Sequence, residues 1–105
     1  MSITSDLIRG HTETIILARL IEKDSYGYEI NKSIIDKTGG KYELKEATLY
    51  SAFRRLESSG MIKSYWGEGT GARRRYYTIT KPGRALYEEN KEEWEKTKKI
   101  IESLI

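Results

Sequence analysis

Residues 46–62 read Glu46-Ala47-Thr48-Leu49-Tyr50-Ser51-Ala52-Phe53-Arg54-Arg55-Leu56-Glu57-Ser58-Ser59-Gly60-Met61-Ile62. Leu49, Phe53 and Leu56 recur at helical spacing and predict one buried stripe. Tyr50, Ser51, Arg54 and Ser58 fall on the opposite side, with Thr48 and Arg55 at its edge. That outer face holds hydroxyls and guanidiniums, the groups that reach phosphates and base edges in a major groove. Gly60 is placed to stop the helix in a left-handed cap, and Met61-Ile62 opens a strand. An amphipathic helix with two arginines is also an ordinary solvated surface, so the segments around it must decide between the two.

Size and charge narrow the field. The 105 residues suffice for one small domain with a modest core. With no cysteine there is neither a disulfide framework nor a thiolate metal site, and a reducing cytoplasm is the expected location. No apolar run approaches the roughly 20 residues of a membrane span, and no signal peptide is expected. The net charge of +3 is unevenly spread. Residues 45–84 hold nine Lys or Arg and three acids, a local +6 that leaves −3 for the remainder. A basic middle in an acidic chain suggests one face meant for a polyanion.

Outward from the central helix, the pattern predicts helix, helix, helix, hairpin, long helix. A first helix, capped by Thr4 or Ser5, is expected to run to about Glu22, apolar over a broad face that includes Leu7, Ile8, His11, Ile15, Leu17, Leu20 and Ile21. Asp24-Ser25 is expected to cap a second helix over about 26–37, where Gly27 lets another helix cross closely. Gly39-Gly40 reverses the chain, and Tyr42 and Leu44 suggest a short extended stretch. Lys45 occupies the cap position of the central helix, where an oxygen-bearing side chain is the better choice, and Glu46 compensates in part by charge. Ile62–Trp66 and Arg73–Thr80 read as strands, joined by a turn drawing on Gly67, Gly69 and Gly71. Thr80 then caps a last helix that has Pro82 in its first turn. Along that helix Tyr87, Asn90, Trp94, Thr97, Ile101 and Leu104 step as a heptad seam among Glu and Lys. One narrow apolar stripe cannot build a core alone, and the simplest partner is the same helix of a second copy. The fold expected is α+β, mainly α: a winged helix over residues 1–80 and a C-terminal dimerisation helix over 81–105, in one compact unit.

The hairpin carries Arg73, Arg74 and Arg75 in succession. Neighbours on a strand point to opposite faces, so some of the three should reach phosphate and others brace the hairpin. A charged edge strand that discourages aggregation is the competing explanation. The glycines before them join strand to strand and lack the Lys-Ser or Lys-Thr ending of a phosphate loop, which excludes nucleotide binding there. Trp94 has two readings: a plug in a dimer core, or one of a pair that sandwiches a flat aromatic molecule across a twofold axis. His11, the single histidine, is a packing or interface residue. No nucleophile elbow or metal-ligand spacing is present, so neither an enzyme nor a cofactor is expected.

Several segments resemble the PadR family of bacterial transcriptional regulators. They are Tyr26-Gly27-Tyr28-Glu29-Ile30, Ala47-Thr48-Leu49-Tyr50, Arg54-Arg55-Leu56-Glu57, Gly60-Met61-Ile62, Ser64-Tyr65-Trp66-Gly67 and Arg73-Arg74-Arg75-Tyr76-Tyr77-Thr78-Ile79-Thr80. The short chain with one C-terminal helix is similar to the small, LmrR-like branch. The resemblance implies a homodimeric winged-helix repressor on a pseudo-palindromic double-stranded DNA operator. Thr48, Tyr50, Ser51, Arg54 and Arg55 would enter the major groove or clasp its phosphates. Tyr26 and Lys81 would help at the backbone, and Arg73, Arg74 and Arg75 would approach the minor groove. In the LmrR-like branch planar drugs stack between paired tryptophans at the dimer centre. Trp94 matches that place, and Leu7, Thr14 and Leu17 match pore-wall positions. Lys91 stands where that pattern has an aromatic and Lys98 where it has an acid, a change that disfavours cationic drugs. A winged-helix protein-interaction module, dimeric but without sequence-specific DNA binding, is the alternative.

Overall fold

Glycine and proline punctuation sets most element boundaries. The computed structural model describes residues 3–68 and 73–105. They form α1 (Ile3–Arg9), α2 (Thr12–Glu22), α3 (Gly27–Lys37), α4 (Glu46–Ser58), β1 (Ile62–Glu68), β2 (Arg73–Ile79) and α5 (Lys81–Leu104). No helix of the described residues is long and apolar enough to cross a membrane. Gly69 and Gly71 of the expected turn lie outside the described residues.

The expected first helix is in fact two. It breaks at Gly10, and His11 becomes the N-cap residue of α2 with φ −109° and ψ 6°. Glycine is the weakest helix former after proline, and the Thr12 hydroxyl donates to the Arg9 carbonyl at 3.0 Å, satisfying a group that α1 leaves open. Thr4 and Ser5 lie within α1 rather than before it.

Ser25 also departs from expectation. Tyr26, not Ser25, is the N-cap residue of α3. The Ser25 backbone pairs instead with Tyr77, donating at 3.2 Å and accepting at 2.8 Å, so it adds a bridge beside β2. Tyr42 and Leu44 form no strand. The Asn31 side-chain amide takes the Leu44 backbone instead, donating to its carbonyl and accepting from its N–H, each at 2.9 Å. A buried backbone must have its hydrogen bonds met, and one asparagine meets both here.

The core lies where α2, α3 and α4 converge on the hairpin base. Ile16, Leu17, Leu20, Ile30, Ala52, Phe53, Leu56 and Ile62 are all at most 1% exposed. The Phe53 ring stacks on Tyr77 with centroids 4.0 Å apart. Gly27 does let α4 cross α3 closely: a Cβ there would sit 2.7 Å from the Tyr50 hydroxyl oxygen.

β1 and β2 pair antiparallel from Ile62↔Ile79 to Glu68↔Arg73. Side chains alternate, so Ile62, Ser64 and Trp66 share a face with Ile79, Tyr77, Arg75 and Arg73. The base of that face is buried, while Trp66 and the arginines extend beyond the core into solvent. Gly60, at φ +80°, turns α4 into this hairpin as expected.

Thr80 caps α5, accepting from the Gly83 N–H at 3.1 Å, and Pro82 sits in the first turn. A Cβ on Gly83 would fall 2.0 Å from the Met61 carbonyl oxygen. The helix therefore starts hard against the base of β1. It leans on α2 through Asn90, which donates to the Thr14 hydroxyl at 3.0 Å. Past Trp94 it runs on with Ile100, Ile101 and Leu104 in solvent.

Candidate nucleic-acid interface

Helix α4 buries Leu49, Ala52, Phe53 and Leu56, which forces the intervening positions outward. Thr48 and Arg54 are exposed on that outer face, and Arg54 has no ion pair among the described residues. Lys45, the N-cap residue, makes no side-chain cap, so the first turn of α4 keeps free N–H groups beside Glu46. Tyr50 is half-exposed, its ring lying over Gly27 with an edge toward Phe53. It braces the α3–α4 crossing and presents one face outward. Ser51 is half-buried and accepts from Arg55 at 2.9 Å.

Arg55 is exposed but engaged. Its Nε donates to Glu13 of α2 at 3.0 Å. This contact spans 42 residues of sequence, and no local pattern announces it. Arg54 and Arg55 are neighbours with different surroundings: one charge is open, the other is partnered.

The three hairpin arginines also separate. Arg73 lies 5.1 Å from the centre of the exposed Trp66 ring. Arg74, on the opposite face, lies 4.6 Å over Tyr26 at the start of α3. Arg75 donates to Glu57 of α4 at 3.1 Å and to Ser64 of β1 at 2.9 Å. Stacked guanidiniums keep their charge and their in-plane donors, so Arg73 and Arg74 remain open to an anion, while Arg75 already gives Nη2 to α4 and β1. Tyr26 is half-buried and meets Tyr76 edge-on. Lys81 begins α5 and is exposed beside the hairpin base.

Two tyrosines of the hairpin have raised pKa values. The Tyr65 hydroxyl donates to Asp24 at 2.7 Å, and that hydrogen bond is the main reason its phenol holds its proton more tightly. Burial does the same for Tyr77, opposed in part by the nearby Arg75 charge. Neither titrates in the neutral range.

The second group of expected site residues lies on α1, α2 and α5. Trp94 is 39% exposed, and His11 meets it edge-on at 4.9 Å. Leu7 is exposed, and Thr14 is half-buried against Asn90. Lys91 lies 5.9 Å from the Tyr87 ring, and Lys98 pairs with Glu95 at 3.1 Å. Leu17 is fully enclosed in the core of the single chain.

Comparison with known proteins settles the class. The model of the transcriptional regulator PadR-like family matches residues 16–89. The chain belongs to that family. It is a DNA-binding transcriptional regulator of winged-helix fold, and not an enzyme. A transcriptional regulator from Clostridium thermocellum is 58% identical, with a TM-score of 0.91 over 99% of each chain. A PadR family regulator from Clostridium difficile is 38% identical, with a TM-score of 0.79 over 90% of this chain and 97% of its own. An uncharacterised protein of Lysinibacillus sphaericus is 46% identical over 95% of this chain and 93% of its own length.

Within this PadR-family chain, sequence reasoning missed the residues that act on the basic ones. Glu13, Glu57 and Ser64 are unremarkable in the sequence, and only the folded chain brings them to Arg55 and Arg75. Trp66 was legible only as a strand residue. Its alternation with Ser64 and Ile62 is the signal that assigns it to the α4 side of the hairpin.

Proposed function

We propose that this regulator is a homodimeric repressor of the LmrR-like branch. Two copies join along α5 and present two α4 helices to successive major grooves of a pseudo-palindromic operator. Thr48, Tyr50, Ser51 and Arg54 face the groove, with Arg55 available once it leaves Glu13. Arg73 and Arg74 bring the hairpin to the flanking phosphates, and Tyr26 and Lys81 support them. Phosphate contacts supply most of the affinity and make it salt-dependent.

The observation that carries this reading is the unpartnered end of α5. Ile100, Ile101 and Leu104 are 59%, 45% and 77% exposed on a helix whose other positions are mostly Glu and Lys. A stripe of that kind is stabilised by a second copy. Trp94 lies where this stripe meets α2, half open, which suits a flat aromatic ligand held between two copies of the indole. Such a ligand would act by favouring dimer geometries whose spacing no longer fits one turn of duplex.

Sedimentation analysis tests the dimer, and a single-copy mass at micromolar concentration refutes it. Titration with a random-sequence duplex over a range of salt tests the interface. A steep fall of affinity with salt is expected, and a flat response refutes DNA contact by the basic face. Flat aromatic dyes should quench Trp94 emission, and indifference across a panel of them refutes the pocket.

A further inference from the structure

The three consecutive arginines of β2 divide their work, and the division lies in what each one touches. Arg75 sits in a closed ring of three side chains from three elements. Its Nη2 donates to Glu57 Oε1 of α4 at 3.1 Å and to Ser64 Oγ of β1 at 2.9 Å. The Ser64 hydroxyl in turn donates to Glu57 Oε2. Nη2 of Arg75 gives its two protons to this ring, and Ser64 uses its one proton and a lone pair together. Beneath the ring lies the Phe53–Tyr77 stack, with Arg75 5.9 Å from the Tyr77 ring. Glu57 is 33% exposed, so its carboxylate is well enough placed to repel DNA if left alone.

We infer that Arg75 is a positioning residue and not a phosphate contact: with Glu57 and Ser64 it locks the hairpin to α4 at a fixed angle. The inference rests on the DNA-contact reading of the hairpin proposed above. A phosphate drawn to Arg75 would come up beside the Glu57 carboxylate and compete with it for the same guanidinium. Like charges brought together in that way oppose binding. Holding the ring together instead neutralises Glu57 and fixes where Trp66, Arg73 and Arg74 stand relative to the outer face of α4. Charge-assisted hydrogen bonds in a closed network supply more geometric definition than an isolated surface pair.

Salt-dependence of binding to a random-sequence duplex separates the two roles. A phosphate contact contributes about one unit to the slope of log affinity against log salt. Arg73→Gln should therefore flatten the slope by about one unit. Arg75→Gln should weaken binding several-fold at an unchanged slope, and combining it with Glu57→Gln should lift only the part due to the bare carboxylate, leaving binding weaker than in the parent. Ser64→Ala changes no charge, yet it should weaken binding at an unchanged slope because it opens the ring. A flattened slope in Arg75→Gln, full affinity in the double variant, or full affinity in Ser64→Ala overturns the inference.

The lock is also read without DNA. Shifts in melting temperature for Glu57→Gln, Arg75→Gln and the pair should be clearly non-additive, and additive shifts overturn it. Absence of duplex binding by the parent protein, with non-additive melting shifts, would instead remove the DNA-contact reading and leave the lock standing.

Discussion

Helices α4 and α5 share a charged surface and an apolar stripe, yet the fold treats them differently. α4 has 13 residues and encloses Leu49, Ala52, Phe53 and Leu56. α5 has 24 residues and fully buries only Gly83. Each enclosed side chain of α4 contributes about 1.5–3 kcal/mol for the larger residues, so its position is fixed by its own chain. α5 is held at its start by Thr80 and Gly83 and at its middle by Asn90. Beyond Trp94 nothing among the described residues covers its apolar positions Ile100, Ile101 and Leu104. A helical stretch as short as that is only marginally stable in water without packing, and under the proposal above a second copy supplies it.

The largest effect should come from breaking the finished side of this comparison. Phe53→Ala removes a ring stacked on Tyr77 and should cost about 3–5 kcal/mol in urea unfolding. An equal cost for Ile101→Ala measured on isolated single copies would erase the contrast. Next comes the unfinished side. Ile101→Glu with Leu104→Glu should yield a monomer by sedimentation while the far-ultraviolet dichroism of the winged helix persists. Its melting temperature should cease to depend on protein concentration. A variant that still dimerises would move the dimer interface elsewhere.

A smaller effect sharpens the account of α4's outward ties. Glu13→Gln releases Arg55, so affinity for duplex DNA should rise by about threefold and its salt slope should steepen. Stability should scarcely change, since exposed pairs are worth about 0–1 kcal/mol. Unchanged affinity would show that Arg55 serves the helix rather than the groove.

The smallest effect concerns Tyr77, whose burial raises its pKa above the ordinary 10.0. A raised phenol pKa means the folded state favours the proton. The contribution is complete below pH 10.0 and disappears as pH climbs past the folded value. The denaturation midpoint of the parent protein should thus fall more steeply above pH 10.0 than that of Tyr77→Phe.

What the sequence made legible was whatever one element decides by itself. The α4 stripe, the left-handed Gly60, the Thr80 cap and the close crossing at Gly27 all follow from spacing or from the geometry of one residue type. The break at Gly10 was hidden because apolar residues continue on both sides of it, so the periodicity shows no gap. Ser25 read as a cap because serine favours that place, and a strand distant in the chain claimed its backbone instead. Leu17 was placed on a pore wall by resemblance alone, and its own spacing in the sequence does not tell a pore wall from the core in which it lies. The partners of Arg55 and Arg75 were illegible for the same reason: an acid far along the chain carries no local mark of the cation it will meet.

The seat of Gly83 against the Met61 carbonyl has a mechanical corollary. A 24-residue helix is about 36 Å long. A tilt of about 5° at its root therefore swings the far tip by about 3 Å, given that length. At Gly83 the helix meets the Met61 carbonyl backbone to backbone, and Thr80 adds hydrogen bonds to the Gly60 and Met61 carbonyls at 2.7 and 2.9 Å, so little compliance is left to absorb such a tilt. Any rotation of the arm must be passed directly into the base of the hairpin, and a twist of the hairpin must appear, magnified, at the arm's end.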